Sequence, residues 1–220
     1  MSMFIEVRHL NKWHYIGYSY YSLPTSKNDP IKPFASSTSV DRNYLLNYII
    51  SGYCKYFGEG IGGKQLIEKR EIPTSGDNKC SDSVLNTYNN NLNHNCAKHA
   101  SYVFLSELKE ITKFEPFKLH GYIHKTPTTM KNMSNHLYSI MQNGIFDITN
   151  WIIPCSNEND LKLKNNSEYE FVQFQSKCIT SLINRIEKEL TSYFGTNIFD
   201  NNNDFTFSTE DVRIIFWYDE

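Results

Sequence analysis

The closing run of this chain, Asp211-Val212-Arg213-Ile214-Ile215-Phe216-Trp217-Tyr218-Asp219, constrains the fold more than any other segment. β-branched and aromatic side chains fit a pleated, packed surface, so the run reads as a strand. A strand with one face in water alternates apolar and polar residues. This one does not alternate, so it belongs in the middle of a sheet, covered on both faces.

Further strand signals come early. Residues 3–9 and 13–18 are apolar-rich on either side of Leu10-Asn11-Lys12, where the Asn-Lys pair suits a tight turn. The pattern predicts an N-terminal β-hairpin. Pro24, Pro30 and Pro33 with several serines make residues 22–38 a loop. Ser39 or Asp41 can cap a helix over 41–51, with Tyr44, Leu45, Tyr48 and Ile49 on one face and Gly52 after it. Residues 74–98 are polar and Asn-rich, with a short helical stretch near Ser83–Tyr88. Residues 101–105 read as strand, leading to a helix from Ser106. Phe117, Leu119, Gly121 and Ile123 alternate as in a strand over 117–124. Met130, Met133, Leu137, Ile140 and Met141 space a helix over 129–142. The longest apolar stripe runs from Phe171 through Phe174, Cys178, Leu182, Ile186 and Leu190 to Phe194. It predicts a helix over 171–194, stopped by Gly195. Together these predict an α+β single domain over residues 1–220. Its N-terminal hairpin joins a mixed or antiparallel sheet packed by two to four helices, with a buried C-terminal strand.

At 220 residues the chain suits one packed domain, and 40% hydrophobic with 15% aromatic residues supplies its core. A net charge of −2 is not the basic excess that coats nucleic acid. No stretch approaches the roughly 20 apolar residues of a membrane span. The charges of Glu6 and Arg8 fall where a signal peptide has its apolar centre. Cys54, Cys80, Cys96, Cys155 and Cys178 form no Cys-x-x-Cys pair and read as reduced thiols. The expectation is a cytoplasmic protein without membrane or nucleic-acid partners, with self-association left open. Frequent asparagine, as in Asn89-Asn90-Asn91, fits an AT-rich genome.

Several segments carry groups capable of chemistry. His94-x-Cys96-x-x-His99 gathers soft-metal ligands, but a zinc site needs a fourth and this spacing matches no standard finger. His120 and His124 share a strand face; polar loop histidines are the plainer reading, so no metal or cofactor is called for. On an extended strand His99 and Ser101 also share a face, yet neither an oxyanion hole nor an oriented base is evident. Gly58-x-x-x-x-Gly63-Lys64 resembles a phosphate-binding loop. Gln65 stands where magnesium would need a hydroxyl, and a helix rather than a strand precedes it. Backbone amides of such a loop can still hold an anion. Lys69-Arg70-Glu71-Ile72-Pro73 can present a guanidinium fork to phosphate, or form a surface ion pair.

In their order along the chain these landmarks resemble a family of small accessory proteins encoded by bacteriophages and prophages. Its opening strand pair is matched by residues 3–8 and 13–17, and its Arg-Asp-Tyr helix start by Arg42-Asn43-Tyr44. Its Arg-Gly-Leu-Pro is matched by Arg70-Glu71-Ile72-Pro73. Its His-Ser-x-Ser and Leu-x-Glu-Leu are matched by Lys98-His99-Ala100-Ser101 and Leu105-Ser106-Glu107-Leu108. Its closing Phe-Asp strand is similar to Arg213–Asp219. Asn43, Glu71 and the Lys98-His99 pair depart from the pattern. The resemblance implies a viral protein acting in the host cytoplasm, of a kind that often counters host defence by binding a nucleotide signal or a host protein. The leading expectation is therefore binding of a small phosphorylated ligand. Arg42, Lys64 and Arg70 would contact its phosphate, and His99, Ser101 and nearby tyrosines its base or ribose. The alternatives are a metal- or histidine-dependent hydrolase using His94, Cys96 and His99, or a module that binds a host defence protein.

Overall fold

The structure is a computed structural model. It describes residues 1–22, 26, 28, 30–39, 49–50, 66–124, 152–154, 168–195, 199 and 206–218; of these, 39, 117–124, 152–154 and 170–176 are described through their backbone. The fold is α+β. The chain groups into two compact units, one of residues 1–40, 69–107 and 185–220, the other of residues 41–68 and 108–184.

The first unit is built on an antiparallel sheet. The hairpin is present as β1 (Ser2–His9) and β2 (Lys12–Ile16). Its turn is Leu10-Asn11, one residue earlier than the Asn-Lys pair, and both residues take positive φ, 48° and 60°. That is the backbone of a type I′ turn, whose twist matches the flanking strands. The C-terminal strand is β10 (Val212–Tyr218), buried at every position and central as its composition demands. It pairs antiparallel with β1 on one side and with β6 (Lys98–Phe104) on the other, giving the order β2-β1-β10-β6. The short β5 (Thr38–Ser39) also pairs with β1, and β3 (Ser19–Tyr21) forms a ribbon with β4 (Pro33–Ala35). β6 starts three residues before the expected 101.

Helix α1 (Asp82–Asn93) is longer than the stretch near Ser83–Tyr88 suggests. Its packing explains the gain. Val84 joins Phe4, Ile72, Cys80, Ile215 and Trp217 in one core cluster, and Phe4 stacks on Trp217 at 4.4 Å. Polar contacts fix it as well: Asn86 Nδ2 donates to Pro33 O at 2.9 Å, and Thr87 Oγ1 accepts from the Ala35 N–H at 2.9 Å. Helix α2 (Leu105–Ile111) starts where β6 ends. The Glu107 carboxylate turns back to accept the Phe104 N–H at 2.9 Å, half of a capping box.

In the second unit, β7 (Phe117–His124) is a strand as predicted, central between β8 (Ile152–Pro154) and β9 (Tyr169–Ser176), all antiparallel. The predicted helix over 171–194 is corrected here. Residues up to Ser176 are strand, and helix α3 spans Cys178–Phe194. Phe171 and Phe174 sit three apart and extend a helical stripe by coincidence. Pairing with β7 over eight residues decides for strand, and Lys177 marks the change. The start of α3 is capped from a distance by Glu115. Its carboxylate accepts the Ile179 N–H at 2.7 Å, the Thr180 N–H at 3.2 Å, and the Thr180 hydroxyl. The expected helices over 41–51 and 129–142 fall on residues outside the described ones, apart from Ile49 and Ile50, which are helical.

Candidate functional site

Three arginines and three aromatic side chains alternate across one face of the sheet in the first unit. Arg8, Arg213, Tyr102 and Phe104 share that face by register, since Phe104 pairs with Arg213 and Tyr102 with Ile215. The Arg8 guanidinium lies 5.6 Å from the Trp13 ring and that of Arg213 lies 3.9 Å from the same ring. Arg213 also faces Tyr102 at 5.6 Å, and Arg70 lies over Tyr102 and Phe104 at 5.3 and 5.6 Å. Guanidinium planes favour such ring faces, most of all where water is excluded.

Each arginine has its own carboxylate. Arg8 donates from Nε and Nη2 to Asp211 at 2.9 and 2.7 Å. Arg213 donates to Glu6 at 2.9 Å and to Asn78 O at 2.9 Å. Its Nη2 lies 2.8 Å from Glu6 as well, off the line of a hydrogen bond. Arg70 forks onto both oxygens of Glu107 at 2.6 and 2.5 Å. Burial pushes the Glu107 carboxyl up. The Arg70 and Phe104 hydrogen bonds, with the Arg70 charge, outweigh it and hold Glu107 below its ordinary value. Asp211 behaves likewise: burial raises it, and its bonds to Arg8 and Ser208 bring it down. The middle pair is sealed at 0% exposure, while Arg8 and Arg70 reach solvent with 40% and 29% of their side chains exposed.

Of the residues singled out in the sequence, Arg70 and Ser101 meet. The Arg70 N–H donates to the Ser101 hydroxyl at 2.9 Å, and Ser101 is buried. Ser101 and Tyr102 point to opposite faces of β6, so Arg70 reaches both by passing the strand's outer edge. His99 departs from expectation. It has φ of 52°, and the β10–β6 register slips between Phe216 and Tyr218, so three steps of β6 face two of β10. A bulge therefore interrupts the extended alternation that would carry His99 and Ser101 to one face. The His99 ring instead meets Tyr218 edge-on at 6.2 Å. Arg42 and Lys64, with the glycine loop, lie outside the described residues.

Compared with known proteins, the chain matches no family model, no curated protein and no solved structure.

The hydrolase alternative rests on His94, Cys96 and His99. His94 caps the C-terminus of α1, and Cys96 Sγ lies 3.3 Å from its carbonyl. Among the described residues, no three His, Cys, Asp or Glu side chains are grouped to hold a metal. The side chains of His120 and His124 lie outside the described ones.

Sequence reasoning found Arg70 but missed the row to which it belongs. The available signal was Glu6 and Arg213, two charges each flanked by apolar residues within a strand. Charges in such positions are found paired. Chemically, the row neutralises itself in the middle and offers a planar, ring-backed guanidinium at the Arg70 end.

Proposed function

We propose that the protein acts by binding, as an accessory protein of bacteriophage type directed at host defence. Its ligand is a small phosphorylated molecule such as a nucleotide, and Arg70 takes the phosphate. The supporting observation is the bidentate Arg70–Glu107 fork at a partly exposed position. A phosphate presents two oxygens much as a carboxylate does, so it can replace Glu107 without moving the guanidinium. Tyr102 and Phe104 hold the guanidinium plane during the exchange.

Calorimetry with a panel of mono-, di- and cyclic nucleotides tests this reading. Arg70→Ala abolishes binding while the fold, read by circular dichroism, is kept. Glu107→Gln, which removes the competing charge, tightens binding several-fold. A nucleotide whose affinity is the same for wild type, Arg70→Ala and Glu107→Gln would remove Arg70 from the site. No binding across the panel would remove the ligand class.

A further inference from the structure

We propose that Glu107 is a proton-linked contact of the Arg70 site: as a phosphate takes the guanidinium, Glu107 takes a proton from solvent and its carboxyl O–H donates to the ligand. The inference rests on Arg70 as the phosphate contact. It adds a second contact and a pH control to that same site.

The two oxygens of Glu107 do different work. Oε2 accepts from Arg70 Nη1 at 2.6 Å and from the Phe104 N–H at 2.9 Å, where β6 passes into α2. Oε1 accepts from Arg70 Nη2 at 2.5 Å. A phosphate that engages both guanidinium nitrogens strips Oε1 of its donor and leaves Oε2 with the Phe104 N–H. That remaining bond caps the first turn of α2, so it tethers the carboxyl beside the incoming anion.

The resting fork pairs one guanidinium with one carboxylate, and each side chain is about one-third exposed. With phosphate in place, two negative groups share one guanidinium. Like charges that close raise the pKa of the group that holds its proton more readily, and here that is the carboxyl. Burial already pushes Glu107 up, while the bonds from Arg70 and Phe104 and the Arg70 charge hold it down. Engaging Arg70 elsewhere reverses that balance. A proton on Oε1 then turns an acceptor into a donor, beside the nitrogen it used to meet. One proton leaves the solvent and no bond of the ligand breaks.

Among the described residues, Arg70 is the charge that acts on Glu107. The other charges nearby are engaged or in water. Arg213 faces Tyr102 and is held by Glu6, and Asp211, in the turn that touches β6, is held by Arg8. Along α2, Glu110 pairs with Lys113. Glu68, Lys69 and Glu71 flank Arg70 in the chain and are exposed. Affinity therefore rises as pH falls, by about tenfold per pH unit where one full proton is taken up. The rise begins near the raised value of the bound state and ends at the depressed value of the free one.

The test is calorimetry of every nucleotide of the panel that binds, from about pH 8 to about pH 5, on wild type and Glu107→Gln. Pairs of buffers with different ionisation enthalpies report the protons taken up. Comparing the two proteins cancels the titration of the nucleotide's own phosphate. The expected result is extra proton uptake by wild type, its affinity climbing toward that of Glu107→Gln as pH falls. NMR titration of the Glu107 carboxyl carbon reads the same event without a substitution, and nucleotide moves its midpoint upward. Equal proton uptake by both proteins, or a midpoint that stays or falls on binding, overturns the proton link while leaving Arg70 as a phosphate contact. Absence of binding by every nucleotide removes the ligand reading and the proton link together.

Discussion

Glu6 and Arg213 face one another across β1 and β10, and both side chains are completely buried. One Glu6 oxygen takes Arg213 while the other accepts the Ser81 N–H at 2.7 Å, at the start of α1. Arg213 stacks on Trp13 and donates to Asn78 O. One ion pair thereby ties β1, β10 and the approach to α1. A buried charge is tolerated only while its partners are in place.

Removing one member of this pair leaves the other stranded. Glu6→Gln costs about 3–5 kcal/mol of stability, because Arg213 keeps its charge in the core. The double change Glu6→Met with Arg213→Met costs less than the sum of the two single changes, by about 1–3 kcal/mol. Urea denaturation of the four proteins measures this coupling. Additive losses would show that the two residues act separately.

The carboxylates at the ends of the arginine row give stability a pH dependence. Glu107 and Asp211 titrate below their ordinary values of 4.5 and 3.8 when folded. A depressed carboxyl binds its proton less readily in the folded state. Its stabilising effect is therefore present above the ordinary value and is lost as pH falls through the lower folded one. The difference in melting temperature between wild type and Glu107→Gln is largest near neutral pH and shrinks below pH 4.5. A difference that stays constant from pH 7 to pH 3 would exclude the ionised Glu107 as its source.

Leu10 occupies a turn position that suits asparagine or glycine. It is 83% exposed with φ of 48°, so its side chain contributes little while its backbone is strained. Leu10→Asn with Asn11→Gly installs the preferred type I′ pair and raises stability by about 1 kcal/mol. Thermal unfolding decides this. A lower midpoint would mean that Leu10 makes a contact worth more than the strain.

Glu115 stabilises α3 from outside the helix. Its carboxylate meets amides at the positive end of the helix dipole, where an acid is worth most. Glu115→Ala costs about 1–2 kcal/mol, and Glu115→Gln costs less because it still accepts a hydrogen bond. Local hydrogen exchange at Ile179 and Thr180 should quicken in both variants, more in alanine. Unchanged exchange there would assign their protection to something other than Glu115.

The elements legible in the sequence were those whose pattern comes from their own neighbours in the chain. The hairpin, the central β10, the strand over 117–124 and the body of α3 followed from alternation, helical spacing and turn residues. The failures came where distant residues intervene. Residues 171–176 carry a stripe compatible with a helix, and only β7 makes them a strand. His99 sits on a strand whose bulge no local signal announces. Arg70 was visible as a cation beside Pro73. Its meaning changed once Glu107, Tyr102 and Phe104 were brought around it, because a guanidinium already forked onto a carboxylate is a different binding group from a free one.

By itself, then, the sequence determined that residues 212–218 form a buried strand, that charges sit inside the first and last strands, and that the fold mixes helices with strands. Tertiary structure decided which charges meet and which strands pair. Side-chain period is a local property, set by backbone geometry every two or 3.6 residues. Pairing across 207 residues, as between Glu6 and Arg213, is not. Its cost in chain entropy is met only when the whole sheet forms at once.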